Sequence, residues 1–175
     1  MSKGAMEGMD EVRLQHMVEQ FVYREVGLLE AGDYDEWLSL FTDDAHYWMP
    51  TRETRSRRED GVRSANEMLV YDDDKKFMRA RVERMKSDMA HAEQPPSRLR
   101  YLVTNIRTSA NPAAAGELSV RCNLMVYQTR MERMETCYVG QREDRLLLSD
   151  GTLRIMERKV TLDHTMLPRA ISIFF

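Results

Sequence analysis

The chain has 175 residues, 42% hydrophobic and 31% charged, a composition that fits one globular domain and excludes a disordered chain. Twenty-six basic and 29 acidic residues leave a net charge of −3, so no global field draws in nucleic acid or an anionic membrane. No run approaches the ~18 apolar residues of a membrane-spanning helix, and residues 1–10 lack the apolar stretch of a secretory signal, which places the expected location in the cytoplasm.

Residues 1–9 read as a tail and residues 10–175 as a single domain. Leu14, Met17, Val18, Phe21, Val22, Leu28 and Leu29 form a helical stripe. Asp10 is its expected N-cap and Gly32 its C-terminal stop. A second short helix is predicted from Asp33, with Glu36 completing a capping box and Trp37, Leu38 and Phe41 on its apolar side. A strand is predicted over Ala45–Pro50, then an extended loop or hairpin over residues 51–70. Asp72, Asp73 and Asp74 are expected to charge-complement the start of a third helix. Its stripe is Met78, Val82, Met85 and Met89, and Pro95-Pro96 ends it.

The second half changes character. Residues 98–108, 117–130, 134–148 and 152–163 read as four long strands, with strict alternation in Leu118, Val120, Cys122, Leu124 and Val126. Asn111-Pro112, the Arg130–Arg133 corner and Asp150-Gly151 supply turns, and short connections impose antiparallel pairing. The class is α+β: N-terminal helices packed in a long, curved, mainly antiparallel sheet that closes over them as a cone. Such a cone serves both pocket enzymes and structural subunits, so a stand-alone dehydratase or isomerase, or a small-molecule-binding module, is the alternative to a structural role.

Charge is unevenly spread. Residues 1–50 carry three basic and eleven acidic side chains, and residues 51–86 carry eleven and eight. This asymmetry can steer one subunit onto another, or it can be no more than solvated helix faces. Fourteen methionines suit an adaptable surface. Cys122 and Cys137 are too few for a disulfide framework or a four-cysteine zinc site. They read as small buried thiols, with a bridge between them as the lesser alternative.

Signs of an active site are sparse. His16, His46, His91 and His164 fall in no metal-binding spacing, and the chain has no Gly-rich phosphate loop and no GxSxG elbow. Asp43, Asp44, His46 and Tyr47 form the best local acid–base constellation, although a helix end running into a strand explains them better. Arg52, Arg55, Arg57 and Arg58 read as a solvated loop or a subunit contact rather than an anion site.

Several tracts taken together are informative: Phe21-Val22-Tyr23-Arg24-Glu25, Asp35-Glu36-Trp37-Leu38-Ser39-Leu40-Phe41-Thr42-Asp43-Asp44, His46-Tyr47-Trp48-Met49-Pro50, Pro96-Ser97-Arg98, Leu102-Val103-Thr104-Asn105-Ile106-Arg107 and Ile171-Ser172-Ile173-Phe174-Phe175. In order and spacing they closely resemble the small (beta) subunits of aromatic-ring-hydroxylating dioxygenases, the group containing the biphenyl, toluene and naphthalene enzymes. The resemblance runs from about residue 10 to the last residue.

It implies the cone fold related to nuclear transport factor 2 (SnoaL-like). It also implies an oxidoreductase assembly, commonly of three large and three small subunits. The large (alpha) subunit holds a Rieske [2Fe-2S] cluster and a mononuclear Fe(II). NAD(P)H supplies electrons through a reductase, often via a ferredoxin, and dioxygen is added to an aromatic ring as a cis-dihydrodiol. The small subunit is implied to carry no cofactor and no catalytic or metal-binding residue. Trp48, Phe174 and Phe175 are then expected to be buried in the cone core or the assembled hexamer. Arg98, Tyr101, Asn105 and Arg107 are expected to anchor subunit contacts.

Overall fold

The computed structural model describes residues 11–52, 69–86, 95–111 and 114–175. Helix α1 runs Glu11–Ala31 and buries Val18, Val22, Val26 and Leu29 along one face. It ends in a Schellman motif, in which Asp33 N donates to Leu28 O at 2.9 Å and Gly32 N to Leu29 O at 3.2 Å. Gly32 takes φ +74°, a left-handed conformation that a side chain would strain.

Helix α2 covers only Tyr34–Ser39. The capping box does not form, because Asp33 makes no side-chain cap bond and Glu36 pairs with Arg24 at 2.5 Å. Phe41 is not on this helix. It opens strand β1, Phe41–Pro50, which therefore starts four residues before the predicted strand. The cause is a long-range pairing: Leu40 O accepts Ile155 N at 2.8 Å and Phe41 stands opposite Ile155.

The predicted loop over 51–70 gives way at its end to strand β2, Leu69–Asp74, which pairs antiparallel with β1. Residues 53–68, with Arg55, Arg57 and Arg58, lie outside the described residues, as do His91 and Met89. The aspartate run is thus strand rather than helix start. Only Asp74 caps helix α3 (Lys75–Lys86), accepting Phe77 N at 2.8 Å. Met78 and Val82 are buried beneath it and Met85 is partly buried.

Strands β3 (Arg98–Ala110), β4 (Glu117–Arg130), β5 (Met134–Ser149) and β6 (Thr152–Leu162) form the expected antiparallel meander. Strand β1 joins β6 in parallel, giving the order β2-β1-β6-β5-β4-β3. Inward residues alternate with outward ones, as in β4, where Leu118, Val120, Cys122, Leu124 and Val126 are all buried.

The edge strand β3 changes phase once. Asn105, at φ +55°, and Ile106 together face one residue of β4, a bulge between the pairs Thr104↔Asn123 and Arg107↔Arg121. Asparagine tolerates this left-handed backbone better than most side chains. Helix α1 covers the same edge: Gln15 donates to Ile106 O at 2.8 Å, and Glu30 accepts Tyr101 N at 2.8 Å.

Candidate subunit interface and the filled cone interior

The strands and α1 aim four ionised side chains into the cone. Glu25, Arg142 and Arg158 are fully buried and Asp144 nearly so. Arg158 grips Asp144 through two bonds of 2.9 Å and donates to Glu25 Oε1 at 2.6 Å. Arg142 donates to Glu25 Oε2 at 2.8 Å, and Trp37 Nε1 adds a 2.6 Å bond to Glu25 Oε1. Arg142 Nε stands 3.3 Å from Asp144 Oδ2 as an ion-pair contact without hydrogen-bond alignment. Two cations thus meet two anions, the balance that buried charge requires.

Phe174 and Phe175 fill the space beside this network. Phe174 packs 4.5 Å from Trp37 and edge-on to Tyr47 at 5.9 Å, while Phe175 is edge-on to Tyr138 at 5.3 Å, centroid to centroid. Interior hydroxyls hold the tail's main chain. Tyr101 donates to Phe174 O at 2.6 Å, Tyr71 to Ile171 O and Ile173 O at 3.2 and 3.3 Å, and Tyr47 accepts Phe175 N at 3.1 Å. Arg158 Nη1 reaches Phe175 O at 3.1 Å.

The electrostatics fix these groups in one protonation state. Burial pushes the Glu25 carboxyl up, but Arg142, Arg158 and the hydrogen bonds from Arg158 and Trp37 outweigh it and hold the group below its ordinary value. Burial pushes the Tyr47 and Tyr101 phenols well up and Tyr71 up to about 12. Near neutral pH, therefore, Glu25 is a fixed anion and the phenols stay protonated. The interior binds its own tail through these groups.

The acid–base constellation read from the sequence is dispersed. Asp43 pairs with Lys75 at 2.8 Å, His46 with Asp72 at 2.7 Å, and Tyr47 points inward. Cys122 lies on the inner face and half-buried Cys137 on the outer, both free, so both the bridge and the burial of both thiols are set aside. Among the described residues no three His, Cys, Asp or Glu side chains gather as a metal site, and no helix is long and apolar enough to cross a membrane.

Trp48 is not in the core. It lies half-buried on the outer face, parallel to His46 at 6.2 Å, beneath Lys159 at 5.2 Å and donating to Glu157 at 3.2 Å. Arg98, Asn105 and Arg107 are exposed on β3, whereas Tyr101 is buried and engaged with the tail. The outer face is layered across the ladder. One row is apolar, with Leu102, Met125 and Val139 directly opposite one another and 47, 38 and 42% exposed. A polar row of Thr104, Asn123 and Gln141 follows, and then a charged row of Arg107, Arg121, Glu143 and Lys159.

The sequence pattern described as "Ring hydroxylating beta subunit" matches residues 24–169. The chain belongs to this family. It is 36% identical over 167 residues to the benzene 1,2-dioxygenase beta subunit of Pseudomonas putida, covering 93% of this chain and 89% of that protein. Among solved structures, a chain of naphthalene 1,2-dioxygenase with indole bound superposes with TM-score 0.84 at 22% identity, covering 97% of this chain and 89% of that one. The cone fold extends to a putative scytalone dehydratase from Novosphingobium aromaticivorans, with TM-score 0.64 at 14% identity and 91% of each chain covered.

As a dioxygenase beta subunit, the chain is a component of an oxidoreductase complex with an alpha-subunit partner. Sequence reading missed the interior network because arginines and aspartates in strands read as solvent-facing. One signal was present: Arg142 and Asp144 keep the parity of inward Tyr138, Leu146 and Leu148, and Glu25 lies among the buried positions of α1.

Proposed function

We propose that this chain is the non-catalytic assembly subunit of a multicomponent Rieske non-haem iron dioxygenase that cis-dihydroxylates an aromatic ring in the breakdown of aromatic compounds. The observation that carries the reading is the filled cone. Where a pocket enzyme would need space and a labile proton, this chain holds a charge-balanced network and two phenyl rings of its own tail. Family membership supplies the oxygenase context.

The side chains described in this subunit do not fit a Rieske cluster or a mononuclear iron, since the two cysteines lie on opposite faces and no ligand group assembles. Both metal groups belong to the large subunit on this proposal, which rests on the family context. In this reading three large and three small subunits assemble in the cytoplasm, with a ferredoxin and an NAD(P)H-dependent reductase feeding electrons to the complex. The small subunit contributes rigidity, since metal ligands must be held to a fraction of an ångström.

Co-expression tests the reading. The two subunits should co-purify in equal numbers, and ring hydroxylation should require both together with the electron-transfer proteins. Turnover by this chain alone would overturn it.

A further inference from the structure

The charged row of the outer face is unbalanced. Arg107 and Arg121 stand directly opposite each other on adjacent strands, an arrangement that is unfavourable between like charges. Glu143 relieves it in part, pairing with Arg121 at 2.5 Å and Lys159 at 3.3 Å. Exposed Arg107 joins no ion pair among the described residues. The row lies in an open depression of about 620 Å³, whose lining also includes Arg145 and Glu157. Asp144 is turned inward onto Arg158. With Glu117, which pairs with Arg145 at 3.1 Å, four outward cations face three carboxylates, leaving one positive charge in excess at Arg107.

We infer that this depression seats an acidic segment of the large subunit, whose apolar flank covers the neighbouring row of Leu102, Met125 and Val139. The inference rests on the assembly-subunit reading and names the surface through which it acts. Charge complementarity sets the sign of the partner surface. The apolar row on the same face, beyond the intervening polar row of Thr104, Asn123 and Gln141, gives the core-and-rim layout of a protein interface rather than of a small-anion site, and exposed cations hold a lone small anion only weakly. A second copy of this chain fits less well, because four of its N-terminal surface carboxylates are already engaged: Glu30 with Arg100, Asp35 with Lys86, Glu36 with Arg24 and Asp43 with Lys75.

The test is binding of the wild-type large subunit to variants of this chain. Arg107→Glu with Arg121→Glu should leave the fold of the lone chain intact by circular dichroism and weaken the complex by roughly a hundredfold, the scale of like-charge juxtaposition at an interface. Arg107→Gln with Arg121→Gln guards against misfolding, and should weaken binding less while flattening its salt dependence. Lys76→Glu with Arg79→Glu on α3 is the charge-matched control and should bind as wild type.

Unchanged affinity in a folded Arg107/Arg121 variant overturns the inference and leaves the assembly role standing. Failure of the wild-type chain itself to bind the large subunit removes the assembly role, and the docking surface falls with it. Saturable binding of acetate or benzoate to the lone chain, lost in the variant while the complex is unaffected, would identify a small-carboxylate site instead and also overturn it. So would a self-associated lone chain that the variant disperses without affecting large-subunit binding.

Discussion

Removing one charge from the buried quartet should cost far more than removing two of opposite sign. Glu25→Gln keeps the shape of the side chain and an oxygen that accepts from Trp37 and Arg158, yet leaves Arg142 and Arg158 facing Asp144 alone. The site is sealed from water, so the excess positive charge is uncompensated. Breaking a buried pair in this way costs about 3–5 kcal/mol, a large share of the ~5–15 kcal/mol that holds a domain together. For a chain of this size, that lowers Tm by about 6–20 °C.

Arg142→Leu alone leaves the opposite imbalance and should cost a similar amount. The double variant retains Arg158 gripped by Asp144 through its two 2.9 Å bonds, a neutral pair. It should be no less stable than the worse single variant, a coupling of about 2 kcal/mol or more. Urea unfolding of the four proteins, followed by the fluorescence of Trp37 and Trp48, measures the cycle, provided the m-values agree. If the two single costs add to within about 0.5 kcal/mol, the residues are independent and the charge-balance argument is wrong.

Three further outcomes follow from the same interior. Glu25 has a folded pKa below its ordinary value of 4.5, so the unfolded chain binds its proton first on acidification. The stability that Glu25 contributes is complete above about pH 4.5 and is lost as pH falls through the lower folded value; Glu25→Gln should lack this part of the acid limb, and identical slopes below pH 4.5 would contradict the assignment. Phe174→Ala removes a ring packed on Trp37 and Tyr47 and should cost about 3–5 kcal/mol in urea unfolding, against the few tenths expected if the tail were only draped on the surface. Gly140→Ala would set a methyl group 2.3 Å from Thr161 O and 2.8 Å from Leu162 Cα, both backbone, so β5 and β6 must part there. A loss of about 1–3 kcal/mol and faster amide exchange of Asp163 N, which bonds Val139 O at 2.8 Å, should follow, and wild-type exchange would refute the close approach.

Local signals were legible wherever they agreed with the tertiary structure. The alternation of β4 and its bounds at Glu117 and Arg130 match the structure, as does the stop at Gly32. Strand β2 was not legible. Its Asp72-Asp73-Asp74 run is a poor strand sequence, ordered here by pairing with Trp48, Tyr47 and His46 on β1. The parallel β1–β6 pairing that recruits Phe41 joins residues more than a hundred positions apart, a contact no local window reports. Of the expected interface residues, Phe174 and Phe175 lie in the core, Trp48 and Arg107 lie on the outer face, and Tyr101 is occupied with the tail. An aromatic in a strand shows its parity only once bulges are known.

The bulge at Asn105 has a consequence for the whole distal half of β3. Before it, odd-numbered side chains such as Leu99, Tyr101 and Val103 turn toward the helices; after it, even-numbered Ile106 and Thr108 do. Straightening the strand without removing a residue would swing Arg107 under the sheet and expel Ile106 to water, whereas loss of Asn105 would set Ile106 opposite Cys122 and leave Arg107 opposite Arg121. A one-codon deletion of Asn105 would thus remove the bulge and keep the basic depression, so the extra residue is what lets the two halves of β3 hold opposite parities in the sequence and the same faces in the sheet.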